Sequence, residues 1–185
     1  LSDALFMTEV TQPILIKDGA LFFGTCPNGA ALDGSDAGVG LFYRDTRYHR
    51  CYELTLGGRN PPVLMSSAAR GTQAIHQLTN DEIVQTDGSP LALQSFGLRL
   101  DRTVAGDRLE LADRIEIRNF ALKPIRFELA VTVDALFGHI FELRGAKPTS
   151  RCPLRPVSSG LALDNPLLPV GVVSGSGAPA GERAA

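Results

Sequence analysis

Leu109-Glu110-Leu111-Ala112-Asp113-Arg114-Ile115-Glu116-Ile117 alternates with a period of two. Leu109, Leu111, Asp113, Ile115 and Ile117 fall on one side, and Glu110, Ala112, Arg114 and Glu116 on the other. Successive strand side chains point to opposite faces, so the pattern predicts a half-buried β-strand. The next run repeats it, with Ile125, Phe127, Leu129, Val131 and Val133 facing one way and Arg126, Glu128, Ala130 and Thr132 the other. Only Asn119-Phe120-Ala121-Leu122-Lys123-Pro124 separates the two runs. A hairpin is expected, its charged outer faces forming solvated cross-strand Arg/Glu ladders.

Working outward, Leu91 to Leu100 predicts a third strand with Phe96, Leu98 and Leu100 inward, and Gly106-Asp107 turns the chain into the next strand. His49 to Leu56 alternates with Tyr52, Leu54 and Leu56 on one face, and ends at Gly57-Gly58 and Pro61-Pro62. Shorter candidates are Ile14 to Lys17, Ala20 to Gly24, Val63 to Ser67, Gln73 to Leu78 and Glu82 to Gln85. No segment before Ala135 sustains a helical period. Many short strands punctuated by Gly, Pro and Asn predict an all-β fold, a predominantly antiparallel β-sandwich. Half of the twelve prolines follow Lys147, and the alternation stops there. Residues 12–146 are therefore expected to form the domain, 147–173 an irregular extension, and 174–185 a disordered Pro/Gly-rich C-terminal tail.

With 185 residues, 44% hydrophobic and 21% charged, the chain suits one ordinary globular domain. Its net charge of -2 leaves no broad basic surface for phosphates, so nucleic acid is not an expected partner. Cys26, Cys51 and Cys152 are odd in number and scattered, which fits neither a disulfide framework nor a zinc site. His49, His76 and His139 show no ligand spacing, and read as surface or packing residues. No apolar run is long enough to span a bilayer, and Leu1 to Val10 lacks the features of a signal peptide. A cytoplasmic chain with no membrane partner, metal or cofactor is expected. No nucleophile-elbow, Walker A or dinucleotide-binding pattern occurs, and Gly175-Ser176-Gly177 reflects tail composition.

Two stretches mix aromatic rings with charges of both signs. They are Gly40-Leu41-Phe42-Tyr43-Arg44-Asp45-Thr46-Arg47-Tyr48, continuing through the Glu53-Leu54-Thr55-Leu56-Gly57-Gly58 strand and turn, and Asp134-Ala135-Leu136-Phe137-Gly138-His139-Ile140-Phe141-Glu142-Leu143-Arg144-Gly145. On these motifs, in this order and spacing, the chain from Gln12 to Gly145 resembles the N-terminal β-sandwich domain of bacterial glycogen-debranching-type, amylo-α-1,6-glucosidase-related proteins. His49 and Arg50 stand where that family usually carries an aliphatic residue and a Ser. The resemblance implies a non-catalytic domain that supports or shapes an α-glucan cleft in carbohydrate metabolism. It also implies a catalytic α/α-barrel as partner, before which this chain is truncated. Phe42, Tyr43, Asp45, Arg47, Phe141, Glu142 and Arg144 are then expected at the domain interface or the substrate-facing cleft edge.

The residues leave alternatives open. Asp45 and Arg47 could bond sugar hydroxyls or line a cleft, since an Arg fork and a carboxylate both suit bidentate contacts. Flanked by Phe42, Tyr43 and Tyr48, they read more readily as a mutually satisfied pair that fixes a loop. Asp134 and Glu142 invite a glycosidase reading, which requires two carboxyl groups roughly 5–9.5 Å apart. The resemblance places catalysis elsewhere, so no catalytic residue is expected here. A free-standing interaction or carbohydrate-binding module is the alternative, with self-association through an exposed sheet edge. The absence of Trp and the 6% aromatic content give a binding platform little sequence support.

Overall fold

The computed structural model describes residues 12–32, 38–68, 70–139, 154–157, 160–163 and 171–173. Fourteen strands and no helix are assigned among them. A five-stranded antiparallel sheet has the order β1-β2-β3-β4-β11, built from β1 (Ile14–Asp18), β2 (Leu21–Thr25), β3 (Gly40–Tyr43), β4 (Thr46–Leu56) and β11 (Leu129–His139). A four-stranded antiparallel sheet has the order β10-β9-β6-β5, from β5 (Val63–Ser67), β6 (Gln73–Thr79), β9 (Phe96–Ala105) and β10 (Glu110–Asn119). Strands β7 (Ile83–Val84) and β8 (Pro90–Leu91) pair as a small hairpin. The expected all-β, antiparallel sandwich is the fold.

Alternation fixes which side chains enter the core. Phe96, Leu98, Leu100 and Val104 of β9 are buried and join Ala74 and Leu78 of β6. From the five-stranded sheet come Ile16, Leu21, Phe23, Tyr52, Leu54 and Leu56. Burying these inner faces against each other is the main favourable term, at roughly 25 cal/mol per Å² of apolar surface removed from water.

The expected hairpin between the two alternating runs is corrected. β10 pairs with β9, Glu110 opposite Ala105 through Asn119 opposite Phe96. β11 pairs instead with β4 in the other sheet, Leu129 opposite Leu56 and Val133 opposite Tyr52. Residues 120–128 cross from one sheet to the other and form no strand. Period-two alternation sets which face is buried, but it does not set the neighbour. Thus Ile125 and Phe127 do face the core, Phe127 stacked on Phe96 at 4.3 Å, although they belong to no ladder. The crossover is pinned by backbone bonds: Gly57 N donates to Glu128 O (2.9 Å) and Thr86 N to Arg126 O (3.1 Å). The Arg/Glu alternation lies across β9 and β10, where Arg99 opposes Glu116 and Asp101 opposes Arg114.

Two further differences are local. The strand expected from Leu91 to Leu100 is two elements, because Gln94 adopts a left-handed φ of 56° between β8 and β9. Composition predicts an irregular extension over 147–173, yet β12 (Leu154–Val157), β13 (Gly160–Leu163) and β14 (Gly171–Val173) form an antiparallel three-stranded sheet there. Strands this short carry too few residues for alternation to register against the surrounding prolines.

Leu100 is 0% exposed, whereas Leu122 in the crossover is fully exposed. Leu100→Ala is expected to cost about 2–5 kcal/mol in urea unfolding, and Leu122→Ala no more than about 0.5 kcal/mol. Equal losses would contradict this assignment of the core.

Candidate functional site

Two bulges shape β4. Leu41 lies opposite His49 and Phe42 opposite Arg47, so Tyr48 is an extra residue. On the other edge Asp134 faces Cys51 and Ala135 faces His49, which leaves position 50 extra. Each bulge reverses the facing of the residues beyond it. Tyr52, Leu54 and Leu56 therefore face the other sheet, as does the His49 ring, while Arg47 and Phe42 lie on the far side of the five-stranded sheet.

The sequence-predicted residues of the β3–β4 hairpin separate accordingly. Phe42 is buried and stacks on Phe22 at 4.7 Å. Arg47 is 5% exposed; its Nε donates to the His49 carbonyl (3.1 Å), and its guanidinium lies 5.9 Å from the Phe42 ring. Gly40, at φ 129°, makes this possible, because a Cβ there would stand 2.7 Å from Arg47 Nε. Tyr43 is half-buried against the inter-sheet core and meets Tyr48 edge-on at 6.5 Å. Arg44 holds φ 53° at the tip and lies over Tyr43 at 5.2 Å. Asp45 is exposed beside it. The expected Asp45/Arg47 pair is thus split, the carboxylate exposed and the Arg47 side chain buried beside the Phe42 ring and the His49 carbonyl. Phe141, Glu142 and Arg144 lie outside the described residues, so the Asp134/Glu142 spacing has no geometry here.

The most heavily engaged polar side chains lie between the sheets. Arg102, 0% exposed, donates through Nε to Asp113 Oδ1 and through Nη2 to Asp113 Oδ2, both at 2.7 Å. Its Nη1 donates to the Gly29 carbonyl at 2.7 Å. The guanidinium is sandwiched by Phe23 (4.6 Å) and Tyr52 (4.3 Å), and the Tyr52 hydroxyl donates to Asp113 Oδ2. A few ångströms along, His76, also 0% exposed, meets the Pro27 carbonyl through Nδ1 (2.8 Å), and Ser66 Oγ donates to the same oxygen. The 26–31 loop is thereby fastened into the gap between the sheets, where Ala31 and Tyr52 exchange backbone hydrogen bonds of 2.7 Å.

Electrostatics follow from this burial. Burial opposes the charge on Arg102, but the bonds and charge of Asp113 outweigh it and hold the guanidinium above its ordinary range. The Tyr52 hydroxyl is raised by burial and by the Asp113 carboxylate, so it stays a donor. His49 is lowered to about 4 by burial and then by Arg102. His76 is lowered for the same first reason. Asp113 is gripped by three donors, and burial shifts both histidines toward the neutral form. The cluster is scaffolding, not an acid–base pair.

Sequence reasoning missed this cluster, although it placed Asp113 on the apolar side of its run. Asp113 shares a face with Leu111 and Ile115, and Arg102 continues the inward parity of Phe96, Leu98 and Leu100. One buried charge on each of two adjacent strands is a signal for a pair. Among the described residues, no group of three or more His, Cys, Asp or Glu could hold a metal, and no helix is long and apolar enough to cross a membrane.

The family described as the N-terminal domain of (some) glycogen debranching enzymes matches residues 16–164, more than half of the chain. The chain belongs to that family. No curated protein and no solved structure matches it. The match runs past the expected domain end at 146 and takes in β12 and β13.

The low proton affinity of His49 gives a signed pH dependence. Between about pH 6.5 and pH 4 the unfolded chain binds a proton at this site that the folded chain refuses, so stability must fall as pH falls through that window. The loss attributable to His49 is roughly 2–3 kcal/mol. Urea unfolding across the window is expected to show it, and His49→Gln to flatten the slope; a slope unchanged by the substitution would contradict the assignment.

Proposed function

We propose that this chain, as a member of the debranching-enzyme N-terminal family, is a non-catalytic domain that supports an α-glucan cleft in carbohydrate metabolism. The observation that carries the reading is the family match over residues 16–164. The disposition of charge supports the non-catalytic part. The carboxylate between the sheets, Asp113, is engaged by Arg102 and Tyr52, and glycoside hydrolysis needs one carboxyl free to give a proton and another to attack or activate water.

The partner in this reading is a catalytic α/α-barrel, and the setting is the cytoplasm. The β3–β4 hairpin is the natural edge of contact. Its tip offers Arg44 and Asp45 to solvent on a base stiffened by Tyr43, Tyr48, Phe42 and Arg47. Such a tip can dock without rearranging the core. A second reading, a free-standing module that adds strands at an edge, has β5 in its favour, where Val63, Leu64 and Met65 are all exposed.

The test is glucose release from a branched α-glucan by the purified chain. None is expected. Release that is abolished by Asp134→Asn would overturn the non-catalytic reading.

A further inference from the structure

The parity that sends Phe96, Leu98, Leu100, Arg102 and Val104 inward leaves Gly97, Arg99, Asp101 and Thr103 on the outer face of β9. Register places their neighbours. Arg114 and Ile75 flank Asp101, Glu116 and Gln77 flank Arg99, and Ala112 and Gln73 flank Thr103. Because Thr103 and Ala112 are short while Arg70, Arg99 and Arg114 are long, the surface sinks into a depression of about 490 Å³. That volume lies within the roughly 300–1,000 Å³ of small-ligand clefts.

The chemistry of this face is that of paired charges. Arg99 Nε donates to both oxygens of Asp101 at 2.9 Å, and Asp101 also lies opposite Arg114, while Arg99 lies opposite Glu116. Opposite signs alternate, so little net field is left to attract an ion. What remains is a row of planar hydrogen-bonding groups. The side chains of Gln73, Gln77 and Arg114 make no hydrogen bond among the described residues. An amide offers donors and acceptors together, and a guanidinium a fixed fork of donors, as adjacent hydroxyl groups require.

At one end of the same face lies an aromatic ring. Phe120 follows β10 and folds back over Gly97, whose outward position has no side chain to obstruct it. A Cβ on Gly97 would stand 3.0 Å from Phe120 Cζ. The Phe120 amide is fixed by the Ser95 carbonyl (2.9 Å), and Arg118 flanks the ring at 5.9 Å. The ring is nonetheless 58% exposed. A large apolar side chain held in place yet left open to water forms a platform, and its distance from Thr103 along β9 is about 20 Å at roughly 3.3 Å per residue.

We propose that the outer face of β10, β9 and β6 binds a neutral oligosaccharide, with Phe120 stacking on one sugar ring and Gln73, Asp101 and Arg114 bonding hydroxyls further along. The length of the strip selects a chain of several units over a single sugar. That the sugar is an α-glucan rests on the proposed function; recognition of a polyhydroxyl chain by this face does not.

The test is a titration of the purified full chain with maltoheptaose, followed by amide NMR. Shifts are expected at Gln73, Arg99 to Thr103, Arg114 and Phe120, with maltose binding about tenfold more weakly or worse. Phe120→Ala and Gln73→Ala alter exposed side chains, so each is expected to weaken binding about five- to tenfold with an unchanged unfolding midpoint. If cellohexaose shifts these amides and maltoheptaose does not, the face stands and the α-glucan assignment falls. Three results overturn the proposal: no shift with either sugar at about 10 mM, shifts confined to other surfaces, or inorganic phosphate moving these amides where sugars do not.

Discussion

Arg102 is the constraint around which the sandwich is arranged. A guanidinium removed entirely from water is tolerated only if its donors are occupied, and here Asp113 takes two, the Gly29 carbonyl a third, and two aromatic faces cover the plane. Each partner comes from a different part of the chain. Asp113 fixes the β9/β10 register, Gly29 anchors the 26–31 loop, and Tyr52 ties the five-stranded sheet to the four-stranded one. A purely apolar interface could slide by a residue pair at modest cost. This one cannot, because a slip would leave a buried cation unpaired. The histidines beside it follow the same rule: next to a fixed positive charge and away from water, both remain neutral.

Alternation reported burial well at the centre of the sandwich, whereas Leu109, Ile117, Leu129 and Val131, expected on buried faces, are exposed. Tyr52, Leu54 and Leu56 on one face, and Phe96, Leu98 and Leu100 on another, needed only parity. Pairing was legible only in part: the turn at Gly106-Asp107 does join paired strands. The runs from Leu109 and from Ile125 look like the two arms of a hairpin, and only the crossover pinned to Gly57 and Thr86 shows that they belong to different sheets. The bulges at Tyr48 and position 50 were hidden for a related reason, since an added residue changes facing without changing composition. The family motif was read correctly from Gly40 to Tyr48, but its Asp and Arg do not form the expected pair. Arg47 is buried beside Phe42 and the His49 carbonyl while Asp45 is exposed.

The polar surfaces divide by rigidity. Arg102, Asp113 and Tyr52 are committed to one another, so exposed groups that this cluster holds still are the better place to look for function. Two such places stand out. The β3–β4 hairpin tip rests on stacked rings, and the outer face of the four-stranded sheet combines unoccupied amide and guanidinium groups with one exposed ring. Both are consistent with the holding role proposed above.

The most direct test of the central claim is equilibrium unfolding of Asp113→Ala beside the double variant Arg102→Met/Asp113→Leu. If the buried pair sets the arrangement, the single change strands Arg102 and costs about 3–5 kcal/mol, while the double change, which removes both charges, recovers most of that loss. A single variant within about 0.5 kcal/mol of the original chain would contradict the account.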